Sequence, residues 1–66
     1  MKLIQFTRYD LNKMGAGQSI HLNVENINTV IRDEDNRYTV VEMVGGESIR
    51  LMETPYQISL VGPINT

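Results

Sequence analysis

The stretch Ser19-Ile20-His21-Leu22-Asn23-Val24 alternates polar and apolar residues at every step. Successive side chains of an extended chain point to opposite faces, so this period puts Ile20, Leu22 and Val24 on one side of a strand. The same texture recurs at residues 2–10, 27–33, 37–44 and 47–52, runs rich in β-branched and aromatic residues. Between them lie 11–18 with its two glycines, Glu25-Asn26, the acidic 34–36 and Gly45-Gly46. Asp and Asn bond their own backbone and tolerate left-handed conformations, and glycine adopts them freely, so these are turns. Short strands separated this regularly predict a mainly β domain of about five antiparallel strands, arranged as a meander or a small SH3-like barrel.

The C-terminal stretch carries two signals. Thr54, Pro55 and Gln57 have the order of an N-cap, a first-turn proline and a capping-box partner. Tyr56, Ile58 and Leu60 alternate as a strand would. A short helix or turn is expected, stopped by Gly62-Pro63, with 1–62 as one domain and 63–66 as a loose tail. A chain of 66 residues forms a marginal core, and without cysteine it has no disulfide or thiolate metal site to reinforce it. Self-association is the remaining support, and a homo-oligomer is expected. The start, Met1-Lys2 followed by residues 3–10, holds charges and no long apolar run, so neither a signal peptide nor a membrane span is read, and a cytoplasmic location is expected.

If Gly45 and Gly46 are the two central residues of a tight hairpin, Val44 opposes Glu47 and Val40 opposes Leu51. One face then carries Tyr38, Val40, Val44, Ile49 and Leu51 as core. The other presents Val41, Met43, Arg50 and Met52, which becomes the candidate partner-binding surface. Two half-apolar faces call for barrel closure or for a protein lying over the sheet.

Reactive constellations are sparse. His21 is the single histidine. Ser19 sits two residues away, about 7 Å along a strand, too far for direct proton transfer, and no catalytic residues are assigned. Asp33-Glu34-Asp35 resembles the start of an EF-hand loop, but Tyr38 and Val44 occupy the positions of its glycine and bidentate glutamate, so no metal site is assigned. Gly45-Gly46 joins two strands beside Glu42 and Glu47, unlike a phosphate loop. A small anion or nucleotide is better suited to the 13–17 loop at an oligomer seam, with Arg8, Lys13, Gly15 and Gly17 as candidate ligand-binding residues and Lys2 as a further cation. No cofactor is implied. The six basic residues are dispersed among eight acidic ones, which argues against nucleic acid as the partner, though a weak nucleic-acid-binding module stands as a third reading.

Taken in order, "LIQFTR", "IHLNVENINTV", "YTVV", "GGESIRLME" and "YQI" resemble the small flagellar and swarming motility proteins of the FlbD type. Thr7-Arg8, Leu22-Asn23, Ile27, Gly46, Leu51, Glu53 and Ile58 carry the resemblance. It implies a compact, non-enzymatic accessory protein acting by contact; a phage-encoded protein of similar fold carries the same pattern. The expected function is therefore an interaction module that self-associates or docks on a protein partner. The alternatives are an oligomer binding a small anion or nucleotide, or the nucleic-acid-binding module.

Overall fold

The computed structural model describes residues 2–61. Five strands and one helix follow in order: β1 (Leu3–Asp10), β2 (Gly15–Asn23), a 3-10 turn (Val24–Asn26), β3 (Ile27–Arg32), β4 (Thr39–Met43), β5 (Ser48–Leu51) and α1 (Pro55–Val61). All paired strands are antiparallel, and their spatial order is β2-β1-β5-β4-β3. The β3-β4-β5 portion is a meander, to which β1 attaches the β1–β2 hairpin.

The expected barrel does not form. The two ends of the order, β2 and β3, remain edges of an open sheet. They are joined through the 3-10 turn, where the Asn23 side chain accepts from the Glu25 N–H and the Val24 N–H donates to the Lys2 carbonyl at 3.0 Å. Instead of closure, α1 covers the concave side: Ile58 is fully buried among Phe6, Leu22, Val24, Ile27, Val41 and Leu51. The helix begins as its sequence predicts. Thr54 Oγ1 accepts from the Gln57 N–H at 3.2 Å, and Gln57 Oε1 accepts from the Thr54 N–H at 2.8 Å, a reciprocal capping box. The expected stop at Gly62-Pro63 and the tail 63–66 lie outside the described residues.

The β4–β5 hairpin differs from its expected register by one residue. Thr39 pairs with Leu51, Val40 with Arg50, Val41 with Ile49 and Glu42 with Ser48. The loop holds three residues, not two. The Gly46 N–H donates to the Met43 carbonyl at 3.0 Å and the Met43 N–H to the Glu47 carbonyl at 2.8 Å, which leaves Val44, Gly45 and Gly46 outside the ladder. Val44 is accordingly 67% exposed. Both glycines have positive φ, +108° and +97°. Gly46→Val is expected to cost about 1–3 kcal/mol, because a β-branched side chain is strained there. Urea denaturation of that variant beside Val44→Ala, which should stay near wild type, checks it.

A shift of one residue exchanges the faces of β4 relative to β5, while Ile49 and Leu51 keep the core side expected of them. Thr39, Val41, Ile49 and Leu51 turn inward, with Met43 packed against the same core. The outer side receives Tyr38, Val40, Glu42, Ser48 and Arg50. The core face thus gathers Thr39, Val41, Met43, Ile49 and Leu51, while the outer side mixes Tyr38, Val40 and its partner Ile31 with Glu42, Ser48 and Arg50. Thr39, a buried hydroxyl, is satisfied by the Arg32 guanidinium at 3.0 Å.

Candidate functional site

β1 and β5 touch only briefly. Their register contains one pair, Arg8 with Leu51. Two further contacts secure that seam: the Met52 N–H donates to the Thr7 carbonyl at 2.8 Å, and the Thr7 N–H lies 3.0 Å from both carboxylate oxygens of Glu53. Beyond Arg8 the strands part. The gap is a cleft of about 400 Å³, walled on one side by Arg8, Tyr9, Asp10 and the following turn, and on the other by Ser48, Ile49 and Arg50.

The parting has a local cause. β1 continues to pair with β2, but the register shifts between Thr7 and Tyr9, so that Tyr9 faces Ala16 and Asp10 faces Gly15. A bulge of this kind bends its strand and increases the twist. Gly17 sits in the bend. A Cβ there would lie 3.1 Å from the Asp10 Cβ and 3.2 Å from the Arg8 carbonyl oxygen, closer than ordinary contact allows. The tip, residues 11–14, is a turn in which Asp10 accepts twice: its carboxylate from the Asn12 N–H at 2.9 Å and its carbonyl from the Lys13 N–H at 3.2 Å.

Three cations line this cleft, Arg8, Lys13 and Arg50, against one carboxylate, Asp10. All three are exposed. Among the described residues Arg37 pairs with Asp33 at 3.0 Å and with Asp35 at 3.8 Å, and the three cleft cations make no ion pair. Arg50 is positioned from behind by aromatic rings. Its guanidinium carbon lies 5.5 Å from the Tyr38 ring centroid, and Tyr38 packs on Tyr9 with centroids 4.9 Å apart. Tyr9 is only 6% exposed, although it lies outside the main core. Its ring is committed to Tyr38 and cannot stack on a base. With Gln18 and Ser48 as neutral hydrogen-bonding groups, the cleft suits an anion that is not deeply buried.

Of the expected ligand residues, Arg8, Lys13 and Gly17 do meet here. Gly15 is paired with Asp10 in the ladder and is not part of the wall. Lys2 precedes β1 at its opposite end and is not part of the wall either. The expected partner-binding surface is corrected. Val41 is 0% exposed and belongs to the core, Met43 packs against that core, and Met52 is half-buried past the end of β5. Arg50, the remaining member, points to the other face and joins the cleft. Sequence reasoning missed Asp10, Gln18 and Ser48, and it placed Arg50 elsewhere. The signal that recovers Arg50 is the three-residue loop register, which returns it to the same face as Tyr38.

The other candidates do not converge. His21 pairs with Gln5 while Asp10 pairs with Gly15 at the far end of the hairpin. At the acidic tip, hydrogen bonding and charge from Arg37 hold the Asp33 carboxyl below the usual carboxylate range. Among the described residues there is no group of three or more His, Cys, Asp or Glu placed to hold a metal ion, and no helix is long and apolar enough to cross a membrane. No family model, no curated protein and no solved structure matches this chain.

Proposed function

We propose that this protein is a small accessory module that acts by contact, binding an anionic ligand in the cleft between β1 and β5. The observation that carries the reading is that Arg8, Lys13 and Arg50, from two strands and a turn, line one cleft with no ion-pair partner among the described residues. Holding three like charges around one cleft with a single carboxylate, Asp10, among them is unfavourable without an anion between them. The chain as a whole carries a net charge of −2, so the cationic character is local.

Thermal unfolding at low salt with a panel of pyrophosphate, ATP and a glutamate-rich hexapeptide tests it. A ligand at ten times its Kd stabilises the folded state by about 1.4 kcal/mol, roughly 6–11 °C in the melting temperature of so small a domain. At least one anion is expected to produce such a rise, which should shrink with added salt and disappear in Arg8→Gln/Lys13→Gln/Arg50→Gln. Lys2→Gln, away from the cleft, should leave it intact. No rise with any of the three anions, or an equal rise in the triple variant, overturns the reading.

A further inference from the structure

The two edges of the sheet are not alike. β3 carries Arg32 and breaks its register between Ile27 and Thr29; a charge and a bulge are usual protections of an exposed edge. β2 holds no Lys, Arg, Asp or Glu in its nine residues. Its irregularity, opposite Thr7–Tyr9, is confined to the 15–18 end, and from Ser19 to Asn23 it follows β1 in unbroken register. Among the described residues nothing pairs with its outer side. One bond fixes which backbone groups lie there. The Val24 N–H donates to the Lys2 carbonyl, so Leu3 and Asn23 are a non-hydrogen-bonded pair, and Ile20 and Leu22 turn their N–H and carbonyl groups to β1. Ser19 and His21 therefore direct both groups, and Asn23 its N–H, to the open edge.

We propose that a second copy of this chain pairs with the β2 edge, antiparallel, with His21 opposite His21 on a two-fold axis. The sequence of the edge selects this occupant. Ser19-Ile20-His21-Leu22-Asn23 runs polar, apolar, His, apolar, polar in either direction. Reversing it sets Ser19 opposite Asn23 and Ile20 opposite Leu22, as a self-complementary contact requires. The two His21 residues exchange N–H and carbonyl groups across the axis, and each Asn23 N–H donates to the Ser19 carbonyl of the other copy. On the core side Ile20, half-buried in one chain, is covered by Leu22 of the other. On the outer side the Asn23 Oδ1 is held by the Lys2 and Glu25 N–H groups at 3.2 Å, which leaves Nδ2 to donate to the Ser19 hydroxyl. The shared edge brings no Lys, Arg, Asp or Glu together. α1 packs toward β3, at the far end of the strand order, so the helices of the two copies stay apart. The contact is short, so association is expected in the micromolar range. It supplies the support that a 66-residue chain without cysteine lacks. Gly17 and Gln18 lie outside the paired stretch, so each copy keeps its cleft, and the inference is independent of the anion-binding reading.

Sedimentation equilibrium of the whole chain from about 10 µM to about 1 mM brackets a micromolar Kd and should show a monomer–dimer equilibrium. Over the same range the Ser19, His21 and Asn23 amides should gain protection from hydrogen exchange, while those of Ile20 and Leu22, already bonded to β1, should not. His21→Lys opposes two ammonium groups at the axis and should raise the Kd about tenfold or more. Asn28→Lys, exposed on the β3 edge, should leave it unchanged. Because the chain has no cysteine, cross-linking tests the register. Opposed residues of a hydrogen-bonded antiparallel pair have Cα atoms about 5.5 Å apart, within the span of a disulfide. His21→Cys with oxidised glutathione should therefore give a linked dimer. The two copies of Ser19→Cys would sit about 13 Å apart along the strands and should cross-link about tenfold more slowly or less. A strict monomer throughout overturns the proposal. So does a dimer unchanged in His21→Lys, or equal cross-linking of the two cysteine variants. If His21→Lys does not fold, the wild-type amides and the cross-linking decide.

Discussion

Leu51→Ala is expected to leave most of the molecules unfolded at ambient temperature. Leu51 is fully buried in β5, the central strand of the order β2-β1-β5-β4-β3. It pairs with Thr39 on one side and Arg8 on the other, so its side chain lies where both halves of the sheet and α1 meet. Truncating a buried leucine costs about 2–5 kcal/mol, from lost transfer free energy and the cavity left behind. A single core in a domain of this size supplies rarely more than about 3–5 kcal/mol in total. The loss and the whole are of one magnitude. Urea denaturation followed by circular dichroism should show little or no folded baseline for the variant. Leu60→Ala, on the exposed side of α1, should remain within about 0.5 kcal/mol of wild type. A cooperative Leu51→Ala transition within about 1 kcal/mol of wild type would mean that the core does not close around this residue.

That residue also marks what could be read before the structure was seen. Each of the five strands and the capping box at Thr54 and Gln57 announce themselves through neighbouring residues, because period and capping are local properties. The turn at Gly45-Gly46 announces itself too, but its length does not. Val44 is a good strand residue by composition, and taking it as the end of β4 shortens the loop and puts every β4 side chain on the wrong face relative to β5, while Ile49 and Leu51 stay on the core side. Only the bond from Met43 to Glu47 places Val44 outside the ladder. Open sheet or barrel was undetermined for a different reason. Closure would need β2 to meet β3, a non-local pairing, and the sequence around either strand says nothing of it. The cleft divides along the same line. Arg8, Lys13 and Gly17 belong to one hairpin and were grouped by proximity in the chain. Arg50 arrives from 42 positions beyond Arg8, brought by the β1–β5 adjacency.

Glu53→Ala is the second large effect, and it separates the seam from the core. The Thr7 N–H has both oxygens of Glu53 at 3.0 Å, in a partly buried position. A side-chain carboxylate here takes the place of the next carbonyl of a neighbouring strand, extending the β1–β5 contact beyond its single register pair. Removing it leaves a backbone donor without its acceptor, at a cost of about 1–3 kcal/mol. Glu53→Gln retains an acceptor oxygen and loses the charge, so it should cost less than Glu53→Ala. Hydrogen exchange distinguishes this from general destabilisation: the Thr7 and Met52 amides should lose protection beyond what the drop in global stability accounts for, while those of Val41 and Ile49 in the β4–β5 ladder follow the global value. Because the seam closes one end of the cleft, loosening it should also weaken the binding of the glutamate-rich hexapeptide, although Glu53 repels rather than attracts an anion. Tighter binding in Glu53→Ala would show that simple charge outweighs the placement of the two walls. Weaker binding would show that the ligand depends on the spacing held by Glu53.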